Sequence, residues 1–251
     1  MCLATSRAMS VDRATDVRPP VMLSFDDGPR SGSTEAVLDV LARRGAGLGH
    51  PDEPLRAAFF TLARNPHRWL ARRLLFAPYE WWTEKGSLED YPVVARRIVA
   101  DGHWLGNHGA EHFWPRWPWF RRERRVLAEL TEWQRVADAV VPGWRVQPVR
   151  LARAPYLIRT PGWRAACKLA GLVDVGGVTS GDADPRAGCD EVARTLLARL
   201  GRQHEGDGAA SRPVLLIFHD IRELTADCLD RWLDAIVAAG YPLVDFDPDR
   251  L

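Results

Sequence analysis

The chain has almost no lysine. Of its 34 Lys plus Arg, only Lys85 and Lys168 are lysine, a bias that a GC-rich genome explains without any functional cause. Cysteine is also scarce: Cys2, Cys167, Cys189 and Cys228 stand far apart, with no CxxC pair. That excludes a zinc knuckle and a disulfide framework, and it predicts ordinary buried or surface thiols. There is no charge excess of either sign. A net charge of +1 over 251 residues argues against a dedicated nucleic-acid binder. No uninterrupted apolar run reaches the roughly 18 residues that a membrane span requires. Met1 to Pro20 is mixed and polar, without the apolar stretch of a secretory signal, so the sequence reads as cytoplasmic.

What is present suits one large α/β domain. Apolar residues make up 46% of the chain, enough for a full core. Strand-like and helix-like segments alternate after a tail over 1–19. The strand candidates are Val21–Phe25, Ala57–Leu62, His103–Gly106, Val149–Ala152, Leu172–Val175, Val214–Phe218 and Leu243–Phe246. Helices are expected over Ser33–Arg44, Tyr91–Asp101, Arg121–Val140, Pro161–Ala170, Cys189–Leu200 and Thr225–Ala239. This alternation indicates βα units around a parallel sheet, with seven strands suggesting a barrel, complete or not. One stretch breaks it. Residues 64–90 lie between the second strand and its helix and read as an insertion. Within it, Arg68 to Phe76 can form a short amphipathic helix, followed by Tyr79, Trp81 and Trp82. A second Trp/Arg cluster runs from Trp114 to Arg122.

The chemistry concentrates at strand ends. Ser24-Phe25-Asp26-Asp27-Gly28-Pro29 places two adjacent carboxylates where an apolar strand meets a Gly-Pro turn. A turning chain can aim both into one cleft, and two anions that close need a cation between them. His108-Gly109-Ala110-Glu111-His112 offers imidazoles at i and i+4, which share one side of a helical turn. Two His plus one carboxylate leave open positions on a divalent ion, as a catalytic site requires. Arg153-Ala154-Pro155-Tyr156 and Ile217-Phe218-His219-Asp220 follow further apolar runs. Sites assembled at the C-terminal ends of parallel strands have this layout.

In their order, these four segments resemble the motifs of the polysaccharide deacetylase (NodB homology) family, carbohydrate esterase family 4, over roughly residues 20 to 247. The resemblance implies a distorted seven-stranded (β/α) TIM-like barrel. It also implies metal-dependent removal of an N-acetyl group from an amino sugar. Asp27, His108 and His112 would hold one divalent ion, zinc by preference, with cobalt, nickel, manganese or iron as alternatives. Asp26 would be the general base and Arg153 its ion-pair partner. The backbone N–H of Tyr156 would face the oxyanion, and Ile217 would line the acyl pocket. His219 would be the general acid, tethered by Asp184 or, failing that, by Asp182.

The departures from the family pattern are few. Asp184-Pro185 stands where Asp-Trp is usual, Gly109 where Ser or Thr is usual, and Leu157 where Gly is common. They bear on the acyl pocket and the substrate more than on the reaction type. The Trp/Arg clusters fit core Trp with snorkelling Arg, a sugar-and-phosphate groove, or a peripheral membrane contact. The last two together would suit a lipid-phosphate-linked amino sugar at the inner face of a membrane. The rival readings are a hydrolase of the same superfamily acting on a small non-sugar amide or a natural-product intermediate, and a catalytically idle sugar-binding relative.

Overall fold

The computed structural model describes residues 18–47, 53–66, 85–114, 123–207 and 212–251. The amphipathic segment of the insertion with its Trp81 and Trp82, and the Trp/Arg cluster beyond Trp114, lie outside them.

Seven parallel strands form one sheet: β1 Val21–Asp26, β2 Ala58–Thr61, β3 Trp104–Asn107, β4 Leu151–Ala152, β5 Val173–Asp174, β6 Val178–Thr179 and β7 Val214–His219. Their spatial order is β5-β4-β3-β2-β1-β7-β6, with every pairing parallel. The sheet curls into a partial barrel, and among the described residues no ladder joins β5 to β6. Helices cover the outside: α1 Ser33–Gly47, α2 Pro92–Ala100, α3 Glu123–Val140, α4 Pro161–Ala170, α5 Cys189–Asp207 and α6 Glu223–Ala238. The chemistry of α4's ends is explicit. The Thr160 side chain accepts from the Trp163 N–H, Pro161 opens the helix, and Gly171 closes it at φ 65°.

Two strand expectations change. Leu243–Phe246 is no strand and meets the sheet through a single bridge between Val21 and Leu243. The seventh strand is instead Val178–Thr179, pairing with β7. At two residues it is too short to show an alternation.

Strand periodicity sorts side chains into two layers. On β1, Val21, Leu23 and Phe25 join the outer core under the helices, together with Phe59, Phe218 and Trp232. Met22 faces inward with Phe60, Leu151, Leu215 and Phe246, forming an apolar floor inside the curl. Ser24 and Asp26 share Met22's inward phase one and two steps further along. The parallel register sets Asp26 beside His219 and beside Phe60. The chemistry therefore sits on a packed apolar plug at the C-terminal mouth. Trp133, Trp144, Trp163 and Trp232 are fully buried. Each has a partner for its indole N–H, such as the Thr61 carbonyl for Trp133 at 2.7 Å.

The cysteine expectation is also corrected. Cys189 and Cys228 are joined in a disulfide, with Cα atoms 5.8 Å apart, tying the start of α5 to α6. Their separation of 39 residues hid the pairing. Cys167 is the buried free thiol that was expected, and burial pushes its pKa up to about 12.

Candidate active site

Asp26 is the last residue of β1, so strand alternation aims it into the curl. A continuing strand would aim Asp27 at the helices. Asp27 instead adopts a left-handed backbone, φ 77°, and this turn brings its carboxylate into the same cleft. Gly28 follows because nothing larger fits: a Cβ there would lie 2.1 Å from Asp220 Oδ2. Asp220 is itself buried and accepts from the Thr34 hydroxyl at 2.6 Å, which locks the turn to the start of α1. Burial raises the Asp220 carboxyl to about 7.

The two histidines come from the loop after β3. They were expected on a helical turn, but residues 108–112 are irregular, with Gly109 at φ 88° and His112 at φ 49°. The bent loop still brings the rings within 5.2 Å of each other. Its bracing was not anticipated. Asn107 Oδ1 accepts from the Gly109 N–H at 2.9 Å, and Glu129 Oε2 on α3 accepts from Ala110 and Glu111 at 3.2 and 3.3 Å. These acceptors hold a loop whose Gly109 has no side chain to hold it with.

Arg153 follows β4 and is completely buried. Its Nη1 donates to Asp26 Oδ1 at 2.6 Å and to Ser24 Oγ at 2.9 Å, and its Nη2 donates to the Gly176 carbonyl at 3.0 Å. Its Cζ lies 3.9 Å over the Phe60 ring. A buried guanidinium needs such a full set of partners. The carbonyl of Arg153 accepts from His108 Nδ1 at 2.9 Å. That bond assigns the proton to Nδ1 and leaves the Nε2 lone pair facing the cleft. One residue thus orients both the base candidate and a metal-ligand candidate.

His219, at the end of β7, faces the cleft from the other side. Its tether is Asp182, not Asp184. Asp182 Oδ1 accepts from His219 Nδ1 at 2.9 Å, and Oδ2 accepts from the His219 backbone N–H at 2.7 Å. Ser180 and Thr225 hydroxyls donate to the same carboxylate at 2.7 and 2.8 Å. Asp184 is exposed and takes the Arg186 N–H at 2.9 Å, as an acid in a Pro-Arg turn does. Burial works against the His219 imidazolium, but the Asp182 carboxylate outweighs it and lifts the pKa to about 9. His108 has no such tether, and burial pulls it down to about 4.

Between these walls lies a cavity of about 340 Å³. Asp26, Asp27, His108, His112 and His219 line it, with Tyr156 and Ile217 as the sequence indicated. Tyr156 holds a left-handed backbone, φ 56°, and its ring lies 4.4 Å from that of His112 and 4.5 Å from that of Trp114. Ile217 is buried on the inward face of β7, beside Ser24 in register. Lys85, which no motif pointed to, also lines the cavity and ion-pairs with Asp27 Oδ2.

The residues fit a divalent ion. Asp27, His108 and His112 are buried and offer ligand atoms that all lie within 4.8 Å of one another. Among the described residues Asp27 Oδ1 has no hydrogen-bond partner, and it lies 3.5 Å from His108 Nε2 and 3.2 Å from His112 Nε2. A buried carboxylate oxygen left without a donor and aimed between two imidazole nitrogens is what a cation would satisfy. Two nitrogens and one oxygen suit zinc and its transition-metal neighbours. Burial opposes ionisation of Asp27, but Lys85 and the nearby imidazoles overcome it and hold the carboxyl well below the ordinary carboxylate range.

A family model for polysaccharide deacetylases matches residues 13–175. The peptidoglycan-N-acetylmuramic acid deacetylase PdaC of Bacillus subtilis is 25% identical over 226 residues, which are 89% of this chain but 37% of that protein. A chitooligosaccharide deacetylase of Sinorhizobium fredii is 29% identical over 191 residues, 76% of this chain and 72% of that one. The family 4 carbohydrate esterase from Streptomyces lividans, solved with acetate, shares the fold with a TM-score of 0.61 at 22% identity, covering 91% of this chain and 92% of that one. With its four motifs converging on one cavity, the chain belongs to the polysaccharide deacetylase family.

Proposed function

We propose that this chain is a metal-dependent N-deacetylase that hydrolyses the N-acetyl amide of an amino sugar within a glycan, releasing acetate and leaving the amine. The observation that carries this reading is the division of the cleft. A salt bridge, Asp26 with Arg153, faces a tethered imidazolium, His219, across a cavity with three convergent candidate metal ligands between them.

Each side chain has a task that its partners suit. Asp26, fixed by Arg153, takes a proton from the attacking water. Its neighbour Asp27 keeps a separate cationic partner, Lys85. Asp27, His108 and His112 would hold the ion, which when bound supplies Lewis acidity at the acyl carbonyl and the water. The Tyr156 backbone N–H, presented by the left-handed turn, would stabilise the developing oxyanion. His219 is protonated at neutral pH, with Asp182 holding its Nδ1, so Nε2 is the atom that gives a proton to the departing amine.

The substrate class follows from what the named relatives act on, peptidoglycan N-acetylmuramic acid in one case and chitooligosaccharide in the other. An amino sugar carrying a negative charge, such as a lipid-phosphate-linked one, is the finer proposal. It is supported by the half-buried Arg222 on the cavity wall and by the Arg/Trp clusters, most of which lie outside the described residues. No helix among the described residues is long and apolar enough to cross a membrane. The Cys189–Cys228 bridge suits an oxidising compartment better than a cytosol and weighs against the cytoplasmic expectation.

The test is Asp26→Asn, assayed for acetate release from a chitooligosaccharide and a peptidoglycan fragment, with zinc content measured alongside. Turnover should fall by about 10³-fold or more with zinc retained. Undiminished acetate release would overturn the mechanism.

A further inference from the structure

One buried charged side chain on the cavity wall belongs to none of the four motifs. Lys85 is 7% exposed, in a chain with only one other lysine. Burying an ammonium is costly unless it is paired, and its partner is Asp27 Oδ2. The pairing is built into the backbone. The Gly86 N–H donates to the Asp27 carbonyl at 3.2 Å, and the Leu88 N–H donates to the Leu62 carbonyl at 2.9 Å. Asn65 Nδ2 donates to the Lys85 carbonyl at 3.0 Å. Gly86 is required for this approach, since a Cβ there would lie 1.9 Å from the Pro29 carbonyl oxygen. The segment is clamped against the turn that carries Asp27.

The two oxygens of Asp27 are therefore divided between two tasks. Oδ2 receives Lys85, while Oδ1 has no hydrogen-bond partner among the described residues and is turned toward both His Nε2 atoms. Each acid of the Asp26-Asp27 pair thus has its own protein cation, Arg153 for the first and Lys85 for the second. We propose that Lys85 is the resident counter-cation of Asp27: a positioning residue that keeps the metal-binding carboxylate aimed in the metal-free protein and, by like-charge repulsion across that carboxylate, weakens its hold on the divalent ion.

This inference rests on the metal site proposed above, and its sign is distinctive. A group that only propped up a ligand would strengthen metal binding, and its loss would weaken it. A counter-cation stabilises the metal-free state most, so removing its charge must tighten metal binding. Lys85→Gln keeps an N–H donor near Oδ2 and removes the charge. Lys85→Arg keeps the charge.

The experiment measures zinc dissociation constants of wild type and both variants by competition with a chromophoric chelator, without substrate. Thermal unfolding is recorded for metal-free and zinc-saturated protein. Lys85→Gln should bind zinc about tenfold more tightly. Its metal-free form should melt lower than wild type, and its gain in Tm on zinc saturation should be larger. Lys85→Arg should stay close to wild type in both. Equal or weaker zinc binding by Lys85→Gln overturns the proposal. If metal-free Lys85→Gln does not fold while its zinc-loaded form does, the metal-free state depends on Lys85, which upholds it. If neither form folds, Lys85→Met decides on the same criteria. Because no substrate is used, a failure here leaves acetate release by the wild type untouched, and a wild type that binds zinc without deacetylating would sink the functional reading alone.

Discussion

On the wall formed by the ends of β1 and β3, His108 is buried with its Nδ1 bonded to a neutral carbonyl, and burial holds it near pKa 4. On the opposite wall, at the end of β7, His219 is half-buried and bonds a carboxylate, and it is held near 9. At neutral pH the first is an imidazole and the second an imidazolium. The first can offer a lone pair to a metal, and the second can offer a proton to a leaving group. The residue type and the strand-end placement are the same. The partner of Nδ1 differs, and it decides the chemistry.

This contrast can be broken from either side. The largest effect is expected from His108→Ala, which should lose bound metal and about 10³-fold or more of activity together, read by metal content and acetate release. Next comes Asp182→Asn. It should lower kcat by about 10²-fold and move the alkaline limb of the pH–kcat profile from about 9 toward the ordinary imidazole value near 6.5. The stability sign is also set. The pKa of His219 is raised on folding, so its contribution is fully present below about 6.5 and is lost as pH rises through about 9. Denaturant midpoints of the metal-free protein should therefore fall over that interval in wild type and much less in Asp182→Asn. The smallest effect is expected from Asp184→Asn, with activity within about twofold of wild type, because this exposed residue only orders a turn. A large loss at Asp184 would reverse the assignment of the tether.

How much of this was readable beforehand depended on range in sequence. Asp26-Asp27, His108, His112, Arg153 and His219 sit in short motifs next to apolar runs, and all of them line or support one cavity. The choice between Asp182 and Asp184 could not be made from spacing alone. Both follow a strand of two residues, β6, too short to show which acid turns inward. A weak signal was present, since Asp184 precedes Pro185 and Arg186, as an exposed turn acid does. Asn107 and Glu129 brace the histidine loop from a strand and from a helix, and nothing local marks them. The helical turn expected for His108 and His112 failed because i,i+4 spacing is also met by a loop that turns through Gly109 and His112 at positive φ.

The sequence by itself determined the parallel α/β architecture, through its alternation of apolar runs and amphipathic segments, and it marked the side chains that line the cavity, because strand ends and their motifs are local. Tertiary structure decided which groups face each other. It set Asp26 against Arg153 and His219 against Asp182, joined Cys189 to Cys228, and brought Lys85 to Asp27 from 58 residues away. Protonation and charge pairing depend on distance and burial, which a linear order of residues does not contain.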